Sequence, residues 1–376
     1  SDAVKQAMEP YLQENYGNAS TAYSIGEDAR RELEKSREVI AATLHAKTSE
    51  IYFTSGGSES DNWAVKNIAA ACKKKGRHII TTNIEHHAIL NSCEYLEKLG
   101  YDVTYLEVDG DGLISPEQVM DAIRPDTTLI SVMFANNEVG TIEPIYQIGK
   151  IAREKQILFH TDAVQAYAQI PLSVNYYPVD LLSASAHKFH GPKGVGFLYI
   201  RDGIDIPSFI HGGSQERGKR AGTENVAGIA GMAKAAEIAY GNMRKRVQKE
   251  IMLRNYLIER VMHEIPDAKL NGHRSIRLPG NVNFSFKGLE GASLLILLDE
   301  DGICASGGSA CNTGEERISY VIKALGVPEE YAPGTIRLTL CGDTTRADVD
   351  TALASLKRNI AIRSLTYELP LTGGSS

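Results

Sequence analysis

Short apolar runs alternate with amphipathic segments along most of the chain. Residues 129–134 read Leu-Ile-Ser-Val-Met-Phe, a nearly continuous run that is typical of a strand buried on both faces of a sheet. Residues 27–46 instead carry Leu33, Ile40 and Leu44 at helical spacing, which predicts an amphipathic helix. Repeated alternation of the two patterns predicts an α/β fold, with a large domain whose mostly parallel sheet is covered by helices on both faces.

The same patterns set the order of the predicted elements. We expect strands at 50–55, 78–82, 102–107, 128–134, 157–160, 179–184 and 195–200, alternating with helices at 56–75, 88–99, 116–123 and 145–155. A long helical region over 225–265 leads to strands at 281–286 and 334–340 and helices at 292–298, 318–325 and 347–362. We therefore predict a large domain at 15–250 and a smaller α+β domain at 251–376, with segment 1–14 packed on the smaller one.

Composition narrows the class of protein. The 376 residues are 43% hydrophobic and 23% charged, as in a soluble globular protein, and the formal charge of -7 argues against a nucleic-acid surface. No apolar run reaches the roughly 18–20 residues that span a bilayer, and no signal peptide opens the chain, so we expect no membrane partner. The five cysteines are scattered, without a CxxC pair, which predicts a reducing cytoplasm and no zinc site.

The candidate chemistry lies where the predicted strands end, because ligands of such sheets bind beyond the carboxyl ends of the strands. Gly56-Gly57-Ser58 opens a helix and can cradle a phosphate, although a plain helix cap with a tight turn is the commoner case. Glu85-His86-His87 and Asn136-Asn137-Glu138 follow later strands, and each fits a ligand contact or an ordinary turn. No further ligands at metal-binding spacing accompany the two histidines.

Two charged residues follow the next strands. Asp162 follows the strand predicted at 157–160, where a partly buried carboxylate needs a cation such as a protonated pyridine nitrogen. Lys188 follows the apolar run 179–184 and is either a reactive amine that forms a Schiff base or a turn lysine. A Schiff-base lysine, a carboxylate for a pyridinium and a phosphate cradle are together what pyridoxal phosphate requires, so we expect that cofactor.

Six motifs extend this interpretation over nearly the whole chain. They read Thr-Ser-Gly-Gly-Ser-Glu-Ser-Asp-Asn at 54–62, Asn-Asn-Glu-Val-Gly-Thr-Ile at 136–142, His-Thr-Asp-Ala-Val-Gln at 160–165, Ser-Ala-His-Lys at 185–188, Gly-Lys-Arg-Ala-Gly-Thr-Glu-Asn at 218–225 and Ser-Gly-Gly-Ser-Ala-Cys at 306–311. In this order the set resembles the cysteine desulfurases, in the class V aminotransferase group of fold-type I pyridoxal phosphate enzymes. The stretch after Cys311 is similar to the longer-loop subgroup, which contains the housekeeping and nitrogen-fixation desulfurases.

The resemblance implies roles around the cofactor. Lys188 would hold the cofactor and move the substrate's α-proton, Asp162 would pair with the pyridinium, and His86 would stack on the ring and act as acid or base. Gln165 would bind the phenolic oxygen. The phosphate would be held by Gly57, Ser58, Ser185 and His187, and by Thr223 from the partner subunit of a homodimer.

It also implies roles around the substrate. Asn137, which we expect near the cofactor as well, and Arg337 would hold the carboxylate of L-cysteine, with help from Asn18. Cys311 lies among glycines that permit an exposed nucleophile, and its thiolate would take the substrate's sulfur as a persulfide. L-Alanine would leave, and the sulfur would pass to an iron–sulfur scaffold or a tRNA-thiolation protein.

Three features depart from the family pattern. The family usually opens with a strand reading like Tyr-Leu-Asp-Asn-Ala-Ala-Thr-Thr, and this sequence starts past it. Tyr23 stands where the family has a histidine, and Thr339-Leu340-Cys341-Gly342 stands where the family usually reads Ser-Leu-Gly-Arg. The alternatives are a selenocysteine lyase, another class V enzyme such as a small-amino-acid aminotransferase, or a degenerate homodimer that serves as a non-catalytic scaffold.

Overall fold

The computed structural model describes residues 1–307 and 318–367, with side chains up to residue 362. Cys311 lies outside the described residues. Across the part of the chain that is described, no helix combines the length and apolarity that crossing a membrane requires.

The α/β prediction is confirmed, because a large sheet with flanking helices dominates the first part of the chain. Its strands are β1 Ile51–Thr54, β2 His78–Thr82, β3 Asp102–Leu106, β4 Thr127–Ser131, β5 Leu158–Asp162, β6 Leu181–Ser185 and β7 Gly196–Ile200. The helices are α1 Asp2–Gln13, α2 Ser24–Leu44, α3 Gly57–Cys72, α4 His87–Glu97, α5 Pro116–Ala122, α6 Ile145–Glu154, α7 Val226–Gly241 and α8 Met243–Glu264.

Strand direction decides which residues meet at one edge of the sheet. The spatial order is β1-β7-β6-β5-β4-β2-β3. The pairs β3/β2, β2/β4, β4/β5 and β5/β6 are parallel, whereas β7 runs antiparallel to both of its neighbours, β6 and β1. The carboxyl ends of β1, β2, β4, β5 and β6 therefore lie along the same edge, which is where the candidate site residues follow.

The two faces of the sheet are covered by different helices. Leu158 of β5 packs with Trp63 of α3 in a buried cluster on one face. The next residue, Phe159, points to the other face, where a Cβ placed on Gly149 of α6 would come within 3.2 Å of its ring. Because both faces are buried, the strands need apolar side chains on both, which explains the near-continuous apolar runs.

A smaller antiparallel sheet forms in the second part of the chain, in the order β10-β9-β8. Its strands are β8 Ala268–Leu270, β9 Asn281–Phe286 and β10 Thr335–Thr339, and the remaining helices are α9 Gly291–Glu300, α10 Tyr320–Ala324 and α11 Arg346–Tyr367. Leu257 of α8, Phe284 of β9 and Leu353 of α11 share its core. The sequence analysis did not predict β8, because this short edge strand is only partly buried and carries a weak apolar pattern.

The chain forms two compact units whose limits differ from the expected domains. The first contains 1–107, 114–136 and 143–243, and the second contains 108–113, 137–142 and the chain from 244 onward. Segment 1–14 was expected on the smaller domain, but it belongs to the first unit, where α1 packs on α7. The physical reason is close packing: a Cβ on Gly231 of α7 would come within 2.7 Å of the Met8 side chain.

Candidate active site

Asp162 is the last residue of β5 and is almost completely buried. Its Oδ1 accepts a hydrogen bond from the backbone N–H of Val164 at 2.9 Å. Burial raises the pKa of Asp162, and the positive charges that His86 and Lys188 can carry oppose that rise. A carboxylate in this position is destabilised unless a cation lies beside it, so the local chemistry fits a protonated ring nitrogen as its partner.

His86 follows β2 and is the N-cap residue of α4. Its Nδ1 accepts a hydrogen bond from the backbone N–H of Ala88 at 3.1 Å, so a neutral ring carries its proton on Nε2. Burial lowers the pKa of His86, the carboxylate of Asp162 opposes that shift, and His87 and Lys188 add to it. The ring is therefore neutral near pH 7 and of defined tautomer.

Lys188 lies on a single helical turn, Ala186–Phe189, directly after β6. Its carbonyl accepts a hydrogen bond from Gln169 Nε2 at 2.8 Å, and the next residue, Phe189, is buried edge-on against Tyr167 with ring centroids 5.1 Å apart. The Lys188 side chain is exposed, so burial does not distinguish it from a surface lysine. Its position near Asp162 and His86 does.

The residues that were predicted to bind a phosphate lie around the start of α3. Gly56 has a φ of +150°, and a Cβ on Gly57 would come within 2.6 Å of Val164 Cγ2, so neither position accommodates a larger residue without movement. Ser185 lies beside Gly57, and its Oγ lies 3.0 Å from His187 Nδ1. Free backbone N–H groups at a helix start, next to hydroxyl and imidazole groups, suit a phosphate.

Two further predicted cofactor residues occupy more open positions in the first unit. Gln165 is half-buried in the turn that follows Asp162. Thr223 is exposed and lines a cavity of about 170 Å³ with Ser55 and Arg220. Arg220 holds this loop against α3, because its Nε and Nη2 donate to the two carboxylate oxygens of Glu59 at 2.8 and 3.1 Å.

Asn18 lies in a polar turn that it stabilises itself. Its Oδ1 accepts a hydrogen bond from the backbone N–H of Ser20 at 2.9 Å, and its own backbone N–H donates to the hydroxyl of Tyr23 at 3.3 Å. Tyr23, which departs from the family pattern, therefore supports this turn. The turn is a local structure, and the described contacts of Asn18 are to its neighbours in sequence.

Asn137 and Arg337 come together in the second unit. Arg337 Nη1 donates to the backbone carbonyl of Asn137 at 2.7 Å. The backbone of Arg337 also pairs with Ser306 in both directions, at 3.1 and 2.6 Å. Ser306 begins the motif that ends in Cys311, so the base of that segment is joined to the same strand that carries Arg337.

A polar network around His160, near Asp162, was not predicted from the sequence. His160 lies 2.9 Å from Ser131 Oγ through Nδ1, and 3.0 Å from Ser183 Oγ and 3.7 Å from Asp61 Oδ1 through Nε2. Burial lowers the pKa of His160 to about 3, and burial followed by the charge of Asp162 raises the pKa of Asp61 well above its usual range. The available signal was the presence of polar residues inside otherwise apolar strands.

No group of three or more histidine, cysteine or acidic residues with metal-binding geometry occurs among the described residues. In the first unit, one carboxylate, one neutral imidazole and one amine therefore lie at the edge of the sheet where α3 begins. These groups can bind a cofactor that combines a phosphate with a protonated aromatic ring, and they can move protons beside it.

Comparisons with known proteins identify the family. The aminotransferase class-V pattern matches residues 1–352. A protein of Dictyoglomus turgidum named cysteine desulfurase IscS is 53% identical over 357 residues, which is 95% of this chain and 91% of that protein. A cysteine desulfurase IscS of Methanosarcina thermophila is 52% identical over 369 residues, 98% of this chain and 91% of that protein. A solved structure titled NifS-like protein has a TM-score of 0.91, 40% identity and 96% coverage of each chain.

The chain thus belongs to the class V aminotransferases, a family of enzymes that depend on pyridoxal phosphate. Within that family it belongs with the cysteine desulfurases. The selenocysteine lyase, the small-amino-acid aminotransferase and the non-catalytic scaffold are not favoured, since the chain is about half identical over nearly its full length to proteins named cysteine desulfurases.

Proposed function

We propose that this chain removes sulfur from L-cysteine with pyridoxal phosphate, releases L-alanine, and passes the sulfur through a persulfide on Cys311 to an acceptor protein. The observation that carries the proposal is the buried carboxylate of Asp162, which lies within electrostatic reach of His86 and Lys188 at one edge of the sheet. Such a carboxylate needs a cation, and the cofactor's protonated ring nitrogen meets that need.

Residues of the first unit would hold the cofactor. When bound, pyridoxal phosphate supplies an electron sink that stabilises negative charge at the substrate's α-carbon. Asp162 would keep the ring nitrogen protonated, and Gln165 would bind the phenolic oxygen. The phosphate would lie at the start of α3, contacted by Gly57, Ser58, Ser185 and His187. This fit is supported by the tight packing around Gly57, which excludes a larger side chain there, and by the helix start, whose first N–H groups have no partner within the helix.

Lys188 and His86 would manage protons. The Nζ of Lys188 would hold the cofactor and would move the proton of the substrate's α-carbon. His86 would stack on the cofactor ring. Its neutral, Nε2-protonated form can donate a proton where the products leave, because Nδ1 is already engaged with Ala88.

Further residues would bind the substrate and accept its sulfur. Arg337 and Asn137 would hold the carboxylate of L-cysteine, Arg337 through two parallel N–H donors, and Asn18 would assist. The Cys311 thiolate would attack the substrate's sulfur. The new S–S bond forms as the substrate's Cβ–S bond breaks, the electron pair stays with carbon, and protonation there yields alanine. Cys311 is left as a persulfide.

The proposal includes partners and location. Thr223 would contact the phosphate of the other subunit in a homodimer, a role supported by its exposure at the rim of the cavity beside Ser55. The persulfide would pass to an iron–sulfur scaffold or a tRNA-thiolation protein. A reducing cytoplasm suits a reaction that depends on a free thiol.

The decisive experiment measures alanine and sulfide formation from L-cysteine and L-selenocysteine side by side, with the wild-type chain and Cys311→Ala. We expect wild-type turnover of L-cysteine, and a Cys311→Ala variant that keeps the visible absorption of the bound cofactor but forms no alanine from cysteine. Cysteine-dependent turnover in Cys311→Ala would exclude the persulfide route. Absence of any cofactor absorption in the wild-type chain, after incubation with the cofactor, would exclude the enzyme proposal.

A further inference from the structure

Glu85 is a completely buried carboxyl group at the carboxyl edge of the large sheet, directly before His86 in sequence. Its Oε1 accepts two hydrogen bonds, from the hydroxyl of Thr82 at 2.9 Å and from the backbone N–H of Met133 at 2.8 Å. Thr82 ends β2, and Met133 follows β4. One carboxyl oxygen therefore joins the ends of two neighbouring strands.

The turn between β2 and α4 is attached to the rest of the sheet at further points. The side-chain amide of Asn136 donates to the carbonyl of Ile84 at 3.0 Å, and the backbone N–H of Asn83 donates to the carbonyl of Leu106 at 3.0 Å. His86 then caps α4 through Nδ1. The position of the His86 ring thus depends on a short turn that the fully buried Glu85 helps to anchor.

We infer that Glu85 is a positioning residue for His86: by holding the turn against Met133 it fixes the place and the tautomer of the imidazole beside Asp162. The importance of Glu85 for turnover rests on the proposed function, whereas its positioning of His86 does not depend on that function. Glu85 acts on this turn through its hydrogen bonds to Thr82 and Met133.

The chemistry of the carboxyl group makes a specific variant informative. Burial, together with the nearby charges of Asp162 and Glu143, favours the protonated form of Glu85. A neutral carboxyl group accepts hydrogen bonds through its carbonyl oxygen, and the amide of glutamine offers the same oxygen at the same chain length. Glu85→Gln should therefore preserve the anchor, whereas Glu85→Ala removes it.

The test is the ¹⁵N NMR spectrum of His86 in the cofactor-free protein, with the signal assigned by loss in His86→Gln. We expect wild type and Glu85→Gln to show one neutral tautomer with the proton on Nε2. In Glu85→Ala we expect mixed tautomers and a pKa closer to that of an exposed histidine. The charged groups that face His86 (Asp162, His87 and Lys188) are unchanged in all these variants.

Two controls separate positioning from general destabilisation. Asp180 is also a buried carboxylate that accepts a backbone N–H, from Phe159 at 2.8 Å, but it lies at the opposite edge of the same sheet, before β6. Asp180→Ala should leave the His86 signal unchanged. Thr82→Val removes one hydrogen-bond donor to Glu85. It should change the His86 signal in the same direction as Glu85→Ala, but by less. This variant therefore tests the inference even if Glu85→Ala does not fold.

Two kinds of outcome would overturn the inference. One is an unchanged His86 spectrum in folded Glu85→Ala or in Thr82→Val. The other is a His86 spectrum of Glu85→Gln that shows the mixed tautomers expected for Glu85→Ala. In the loaded enzyme we expect alanine formation to fall about 10- to 100-fold in Glu85→Ala and to recover in Glu85→Gln, since small displacements at a site have effects of this size. If the spectra behave as expected while wild type forms no alanine, the positioning of His86 stands and the proposed function fails.

Discussion

The imidazole of His86 and the carboxyl group of Asp162 lie at the ends of β2 and β5, and each shifts the pKa of the other. Burial lowers the pKa of His86 and raises the pKa of Asp162, while their mutual attraction opposes both shifts. Strand β4 separates the two strands, so the pair forms only through the strand order of the sheet. A neutral imidazole ring and a buried carboxylate, which a cation would stabilise, are together suited to one aromatic, cationic ligand.

The first prediction concerns Asp162→Asn. The carboxylate stabilises the protonated form of His86, so its removal should lower the pKa of His86 further below that of wild type. The same variant should reduce alanine formation by at least about 100-fold, because an amide cannot compensate the ring-nitrogen charge. NMR titration of the cofactor-free protein measures the first effect and an alanine assay the second. A pKa of His86 that rises in the variant would contradict the proposed proximity.

The second prediction concerns Gly57→Ala at the start of α3. The new Cβ would lie 2.6 Å from Val164 Cγ2, and such overpacking costs about 1–3 kcal/mol. We expect a lower free energy of unfolding and weaker binding of the cofactor. Val164→Ala in the same chain removes the clashing methyl group and is the matched control. Stability that does not recover in the double variant would show that the close approach of Gly57 to Val164 is not the cause.

The third prediction tests the anchor of the loop that leads to Thr223. Arg37 Nη1 and Nη2 donate to the two carboxylate oxygens of Glu216, both at 2.8 Å, and the pair is buried. Arg37→Ala would leave Glu216 buried without this cation, which costs about 3–5 kcal/mol. Denaturant unfolding measures the loss.

Lys47 provides the control for that variant. It pairs with Asp202 at 2.7 Å on the exposed surface. Exposed pairs contribute little to stability, so Lys47→Ala should unfold almost as wild type does. Equal losses in the two variants would contradict the buried-pair interpretation.

The fourth prediction is a pH dependence of stability caused by His160. Burial lowers the pKa of His160 from 6.5 to about 3, so below pH 6.5 the unfolded chain binds a proton at this residue that the folded chain does not. This contribution to stability is complete above pH 6.5 and is lost as the pH falls towards 3. His160→Gln should therefore reduce the fall of the unfolding free energy with acid, whereas the exposed His211→Gln should not. Equal acid dependence in wild type and His160→Gln would exclude this role.

Much of the fold follows from local patterns in the chain. The apolar runs and helical spacings predicted the strands and helices of the large sheet, because burial on both faces requires continuous apolar side chains. The candidate site residues that follow strand ends, Gly57, His86, Asp162 and Lys188, could be predicted from the sequence for a similar reason. A polar or charged residue that directly follows a buried strand must find a partner at the edge of the sheet.

The remaining features depend on contacts between residues that are distant in sequence, and a local pattern carries no information about such contacts. Periodicity reports that a face is buried but not against which partner, so helix α1 was assigned to the smaller domain although it packs on α7. Segment 137–142, with Asn137, joins the second unit, while Asn136 stays in the first. The network of Asp61 and His160, and the joining of Thr82 to Met133 through Glu85, likewise exist only once distant strands are paired. The residue types at the strand ends could therefore be predicted from the sequence. The distances between them and their pKa shifts depend on the order and direction of the strands.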